Sequence, residues 1–247
     1  MHEHPIAARA LELLLDASLH IDVEAALVLE SSTYSTLQAG PEHQAWLRQL
    51  KRRDQPDEGD VVVMARDDST LHLTLDRPRV RNAFNAAMRE ALLDGFAIAT
   101  ADPSIERVLV DGAGPNFCSG GDLNEFGTLA DPASAHILRV ERSVARAVHL
   151  ARERTTFVVH GACVGAGVEL PAFAGRVVAR RDATFQLPEL SMGLVPGAGG
   201  TVSIPRRIGR QRFEQLALSG EQIDAPTALE WGLIDEISQT TGAASRP

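Results

Sequence analysis

Two acids stand alone in apolar company. Glu169 lies in the middle of "GAGVELPAFAG" (residues 165–175), and Glu189 lies within "QLPELSMG" (residues 186–193). A carboxylate taken out of water needs a partner, or its pKa rises until it keeps a proton. Two such acids around one polarised carbonyl make an acid/base pair that can handle a proton on carbon and a water. A plainer reading is equally open: Glu169 pairs with an arginine such as Arg180 or Arg181, and Glu189 is partly exposed.

The polarising groups would come from backbone. "GAGPNFCSGGDL" (residues 112–123) and "HGACVGAGVE" (residues 160–169) are rich in glycine where a strand gives way to the next element. Glycine lets backbone approach a ligand and turn N–H groups toward it. The second loop opens a helix, whose free N–H groups favour an oxyanion. Taken singly, each loop also reads as an ordinary tight turn. Ala166 and Glu169 are three residues apart, so a helix places both on one face. Pro188 keeps Glu189 out of a helix interior and pushes Leu187 toward an extended shape. Cys163 lies near His160, but their spacing crosses a strand-to-turn junction, so both Cys163 and Cys118 read as small buried residues rather than nucleophiles. Asp122 reads as a loop-fixing group that bonds backbone N–H, and Tyr34 and Trp46 read as packing residues.

These loops need a scaffold. The chain has 247 residues, 44% hydrophobic and 23% charged, an ordinary globular balance. Its net charge of −9 argues against nucleic acid or an anionic membrane as the main partner. Two cysteines without a C-x-x-C spacing suit a reducing cytoplasm and offer no metal framework. The N-terminus lacks the pattern of a signal peptide. The apolar run 157–175 is broken by His160, Glu169 and glycines, so it reads as a strand and a helix rather than a membrane span.

The first fifty or so residues read as helices, forming a region over 1–53. Ile6, Ala10, Leu13 and Ala17 share one expected apolar face. Asp22 is an expected N-cap, followed by a face of Val23, Ala26, Leu27, Tyr34 and Leu37. Gly40 and Pro41 mark the next boundary. The charged stretch 52–60 reads as a linker. From 61 to 240 the pattern changes. "VVVMA" and "LHLTL" predict a hairpin, and "NAFNAAMREALLDGFAIA" predicts a helix with Phe84, Met88, Leu92 and Phe96 stacked. "RVLVDG", "TTFVVHG" and "RVVA" are expected strands, alternating with the expected helices "PASAHILRVERSVARAVHLARE" and "GAGVELPAFA". That alternation predicts an α/β domain with parallel strand pairs.

The stretches "LDRPRVRNAFN", "GPNFCSGGDL", "HGACVGAGVELPAFAGRVVARRDATFQLPELSMGLVPGAGGT" and "ALEWGLIDEI" resemble, in order and spacing, the enoyl-CoA hydratase/isomerase (crotonase) superfamily. The resemblance runs from about Val61 to Ile237. It implies a crotonase-like ββα spiral core, here with an added helical region at the N-terminus. It implies an acyl-CoA thioester as substrate and no metal or redox cofactor. It makes the N–H groups of Gly121 and Ala166 the two donors of an oxyanion hole, and Glu169 and Glu189 the catalytic pair of a hydratase. Substrate contacts fall on Arg81, Ala83, Gly120, Asp122, Leu123, Gly165 and Gly197. Arg77, Arg79 and Arg81 lie where the family meets the CoA nucleotide, or else form a solvated basic loop. A cytoplasmic homotrimer or dimer of trimers is the implied assembly. An isomerase, another crotonase-type acyl-CoA chemistry and a catalytically silent assembly protein are the alternatives. The chain departs from the family at both ends. Helices of the kind that the family carries beyond "WGLIDEI" are matched by the N-terminal stretch 18–53, so a circular permutation is expected, in which these helices cover the core.

Overall fold

The computed structural model describes residues 3–52, 59–129 and 131–238. Most of the expected linker 52–60, and the tail from 239 onward, lie outside the described residues. The chain begins with helices α1 (Pro5–Ser18), α2 (Val23–Gln38) and α3 (Pro41–Leu47). The Asp22 carboxylate caps α2 by accepting from Ala25 N–H, as its position predicts. Gly40 and Pro41 open α3 as expected. Glu42 on α3 reaches back to accept from the N–H groups of Ile6 and Ala7, capping α1 and tying it to α3.

The expected face of α1 is corrected. Ile6 and Leu13 are exposed, and the buried stripe is Ala7, Leu11, Leu14, Leu15 and Ser18. Both stripes obey the helical period, but the second carries more leucine, and burying leucine is the larger gain.

The core begins with the antiparallel hairpin β1 (Val62–Asp67) and β2 (Thr70–Leu75), turned through Asp68 at φ 52°. Helix α4 (Ala86–Ala101) follows, capped by Asn85, with Met88, Leu92 and Phe96 buried along one side. Strand β3 (Arg107–Gly112) comes next. The expected long helix after it is broken into α5 (Pro132–Glu141) and α6 (Val144–Leu150), because Ser143 leaves helical geometry and caps the second. Strand β4 (Thr155–Val159) leads to a short β5 (Ala162–Val164) and the one-turn helix α7 (Ala166–Glu169). Strands β6 (Arg176–Arg180) and β7 (Thr184–Gln186) precede a 3₁₀ turn at Glu189–Met192. Helices α8 (Gly200–Ile208) and α9 (Arg210–Ser219), strand β8 (Ile223–Asp224), helix α10 (Ala225–Trp231) and strand β9 (Glu236–Ser238) complete the described chain.

Among the described residues, a six-stranded sheet runs β1-β2-β3-β4-β6-β9 and a three-stranded sheet runs β5-β7-β8. Beyond the hairpin, every pairing in the larger sheet is parallel. The two sheets meet where β4 hands over to β5, and this is where the glycine-rich loops fall. The N-terminal helices pack onto the core: α2 against α5 and α8, α1 against α8, and α3 against the 3₁₀ turn of Glu189. Leu11, Leu14, Leu15, Ala26 and Leu37 belong to the same buried cluster as the strands.

Candidate active site

Two loops abut beneath the N-terminal helices. Cys118 and Cys163 form an isolated parallel bridge, and Val164 N–H donates to the Cys118 carbonyl at 2.9 Å. A Cβ on Gly165 would lie 3.6 Å from the Cα of Gly120, and a Cβ on Gly167 would meet the Cys118 carbonyl oxygen at 2.6 Å. The crowding explains the glycines: side chains here would drive the loops apart. Gly165 sits at φ 50°, ψ −116°, a conformation that residues with a Cβ rarely adopt. Phe84 joins the arrangement by donating to the Gly120 carbonyl and accepting from Asp122 N–H.

Among the described residues, no hydrogen-bond acceptor takes the N–H of Gly121 or of Ala166. Ala166 is the first residue of α7, where an N–H has no partner within the helix. The two donors named from sequence therefore come from neighbouring loops and are both available.

Both expected acids are buried, Glu169 to 2% exposure and Glu189 to 8%. The arginine-pair reading of Glu169 does not hold, since Arg180 is paired with Asp182. Instead, Glu169 Oε2 accepts from Ala198 N–H at 2.7 Å and Gly200 N–H at 2.8 Å, at the start of α8. Burial pushes its pKa up to about 7, with these two N–H groups pulling the other way. Glu189 carries a buried Oε2 without a hydrogen-bond partner. Its other oxygen, Oε1, lies where a Cβ of Gly165 would stand, a second reason for glycine there. Burial first, and then the charge of Glu169, raise the Glu189 pKa well above the ordinary range. Near neutral pH the site thus holds one carboxyl that keeps its proton and one poised to lose it, beside two free N–H donors. Such an arrangement can stabilise negative charge on a carbonyl oxygen while protons move to and from its neighbours.

The remaining residues sort by distance from this centre. Asp122 fixes its loop as expected: it accepts from Asn124 N–H and forms a buried ion pair with Arg77 at 2.9 Å. That pair corrects the reading of three basic residues as one cluster. Arg77 is buried and also donates to the Ala83 carbonyl, so Arg79 and Arg81 alone keep exposed side chains. Arg81, at φ 56°, gives its carbonyl to Ser119 N–H and so shapes the Gly120–Gly121 loop through backbone. Leu123 is exposed at the loop's edge. Cys163 and Cys118 are buried, with burial raising both thiols, Cys118 to about 12, which removes them as nucleophiles near neutral pH. His160 bonds the Gly114 carbonyl through Nε2 at 2.9 Å and serves the loop.

Sequence reasoning missed one buried acid of this site and left open what Tyr34 packs against. Glu30 on α2, also 2% exposed, reaches the same α8 entrance as Glu169. The signal was present: Glu30 lies four residues from both Ala26 and Tyr34, inside the apolar stripe of α2. Tyr34 does pack, but against the site, with its ring laid on Gly197 and under the Arg139 guanidinium, 4.6 Å from the ring centroid. Gly197 therefore lies beneath Tyr34. Trp46 stacks on His43 and reaches Phe126, which in turn covers Gly121, where a Cβ would lie 2.9 Å from the ring.

Among the described residues, no cluster of histidine, cysteine or acid side chains could hold a metal ion, and no helix is long and apolar enough to cross a membrane.

A parallel-stranded core with two glycine-rich loops presenting free N–H groups beside buried acids has the makings of a site for acyl-group chemistry. The enoyl-CoA hydratase/isomerase family model matches residues 65–242, and the chain belongs to that family, the crotonase superfamily. It is 36% identical over 177 residues to a 2,3-dehydroadipyl-CoA hydratase of Escherichia coli K12, covering 71% of this chain and 68% of that protein. It is 35% identical over 175 residues to a 1,2-epoxyphenylacetyl-CoA isomerase of the same organism, covering 69% of this chain and 67% of that one. A crystal structure of enoyl-CoA hydratase from Thermoplasma volcanium superposes with a TM-score of 0.69 at 32% identity, over 74% of this chain and 73% of the other. The chain thus spans about two thirds of the length of such curated relatives.

Proposed function

We propose that this protein is a 2-enoyl-CoA hydratase that uses a backbone oxyanion hole and two glutamates. The carrying observation is the grouping of two free N–H donors, at Gly121 and Ala166, with two buried carboxyls of unequal proton affinity. The thioester oxygen accepts from both N–H groups. Glu169, ionised and aimed by Ala198 and Gly200, takes a proton from water as its oxygen bonds to carbon 3 of the enoyl group. The electrons of the double bond move onto the thioester, giving an enolate whose oxygen sits in the hole. Glu189 then delivers its proton to carbon 2. Each hole donor contributes about 10²–10³ in rate. Arg79 and Arg81, exposed at the entrance loop, suit the phosphates of CoA on an otherwise acidic protein.

The isomerase reading draws on relatives named for either activity, the hydratase and the isomerase of Escherichia coli. Shifting a double bond needs one acid to carry a proton between carbons, and leaves the second without a task. Two placed carboxyls therefore favour hydration over isomerisation, and over a silent assembly role. The proposal includes a cytoplasmic homotrimer or dimer of trimers, for which the exposed Ile137 and Leu150 of α5 and α6 offer apolar contact surface.

The test is a short 2-enoyl-CoA incubated with the wild-type protein and with Glu169→Gln and Glu189→Gln. Loss of the conjugated-thioester absorbance and a product heavier by one water are expected, falling ~10²–10⁴-fold in each variant. Double-bond migration without gain of water would assign the isomerase instead. Wild-type rates in either variant would remove that glutamate from the mechanism.

A further inference from the structure

The loop that aims Glu169 is gripped from two sides. Glu169 Oε2 takes the N–H groups of Ala198 and Gly200. Glu30, arriving on α2 from the N-terminal region, takes the two that alternate with them: Oε1 accepts from Gly199 N–H at 2.7 Å and Oε2 from Thr201 N–H at 3.0 Å. Oε2 also accepts from the Thr201 hydroxyl at 2.6 Å. Four successive N–H groups, 198 to 201, are thus shared alternately between two buried carboxyls. Neither carboxyl can shift without moving the backbone that holds the other. We propose that Glu30 is a positioning residue of this active site, fixing the 198–201 backbone that aims Glu169 and sharing the charge that this backbone can hold. The inference rests on Glu169 being the base that activates water.

Two adjacent buried negative charges repel, and the N-terminal turn of α8 offers partial compensation for about one. Glu30 is the one that stays protonated longer: burial first, then the charge of Glu169, push its pKa up to about 8, against the bonds from Thr201 and Gly199. The other titratable groups facing the pair are Glu189, Tyr34 and Cys118. Arg139 of α5 is the facing cation; it donates to Ser35 and stacks on Tyr34. Several other charged or titratable groups where α5, α6 and α8 meet α2 and its N-terminal loop are engaged elsewhere, and His149 of α6 faces Glu24 and Arg206 rather than Glu30. His136 bonds Ser31, Arg146 pairs with Glu24, and Arg206 donates to the Ser18 and Ile21 carbonyls. Between about pH 7 and pH 8, therefore, Glu30 keeps its proton while Glu169 has lost its own, and the shared backbone carries the charge of Glu169 alone. Above about pH 8, a second negative charge stands beside a forming enolate, and turnover falls.

The experiment uses the full chain, with hydration of a short 2-enoyl-CoA followed across pH and glutamate carboxyl-carbon NMR titration without substrate. In the wild type, kcat/KM falls on the alkaline side near the Glu30 transition. Glu30→Gln removes that fall, and Glu30→Ala lowers kcat by about 10²-fold through misplacement of Glu169, with KM little changed. Glu169→Gln moves the Glu30 titration down toward the ordinary glutamate range, because the coupling is mutual. An alkaline limb unchanged in Glu30→Gln, or a Glu30 titration unmoved by Glu169→Gln, would reduce Glu30 to a structural helix cap and overturn the proposal. Should the wild type hydrate no enoyl-CoA, the functional reading fails, and the NMR titration still decides whether Glu30 and Glu169 share charge.

Discussion

Three glutamates buried within one site make proton affinity a property of the fold. Glu30 is raised from 4.5 to about 8, Glu169 to about 7, and Glu189 is also raised. Each keeps its proton in the folded state over a range where the unfolded chain has lost it, so stability falls as pH rises through that range. Buried His43 and His160 and half-buried His149, whose pKa values are lowered, act with the opposite sign below about 6.5. From there to about pH 8 the carboxyls dominate among the described residues. Thermal unfolding should therefore shift downward between pH 6.5 and 8, at about 2–4 °C for each ~1 kcal/mol lost. Glu30→Gln should flatten the slope, and a Tm that rises over this window would contradict the placement of these acids. The rule that a lone acid in apolar sequence marks a site located Glu169 and Glu189. It would have found Glu30 too, had it been applied to helical faces as well as to continuous apolar runs. What sequence could not supply was the partner of each acid. Glu169 bonds backbone N–H groups 29 and 31 residues away, and backbone donors carry no residue-type signature.

At the scale of elements, α7 is a single turn that does two things: its first N–H points away from helix bonding, and its last residue is Glu169. Its neighbour Gly165 is required twice over, by backbone conformation and by the nearness of Glu189. Ala166→Pro deletes one N–H at a first-turn position that tolerates proline, so the fold should survive while turnover drops by about 10²–10³-fold. Cys163→Ala is the control and should keep most activity, since a buried thiol with a raised pKa has no part in the chemistry. Equal activity in Ala166→Pro would exclude Ala166 as a hole donor, as equal loss in both would point to simple loop damage. Long periodic elements, the β1–β2 hairpin and α4 among them, were legible because their pattern repeats over several turns or alternations. The strands β5, β7 and β8 were not, because each spans two or three residues and exists only through pairing with a distant segment. The wrong face of α1 has a similar origin: two stripes fit the helical period, and the choice between them is made by what packs there.

For the molecule as a whole, the question is whether the N-terminal helices are an appendage or the cover of the site. Their contacts favour a cover. α2 supplies Glu30 to the α8 entrance and lays Tyr34 on Gly197, while α3 seats His43 Nδ1 against the Met192 carbonyl at 2.8 Å, within the turn that carries Glu189. Trp46 backs Phe126, which covers Gly121. Leu11, Leu14 and Leu15 are buried, and each fully buried leucine contributes ~1.5–3 kcal/mol, so removing this region would leave a wide apolar face wet. Deleting residues 1–52 should yield protein that binds hydrophobic dyes, aggregates and loses hydration by more than ~10²-fold, since both the Glu30 grip and the Phe126 support go with it. Loss of activity alone would not distinguish a cover from a folding aid. The sharper prediction moves the helices: a rearranged chain in which residues 3–52 follow the core through a flexible linker, rather than precede it, should fold and recover most of the activity. A cover acts through the surface it presents, so its place in the chain matters only insofar as the linker can span the distance. Recovery that is abolished by Glu30→Ala in the rearranged chain would tie the effect to the site. A rearranged chain that folds with dyes excluded yet stays inactive, or a truncated chain that stays soluble and fully active, would show that these helices serve something other than this site.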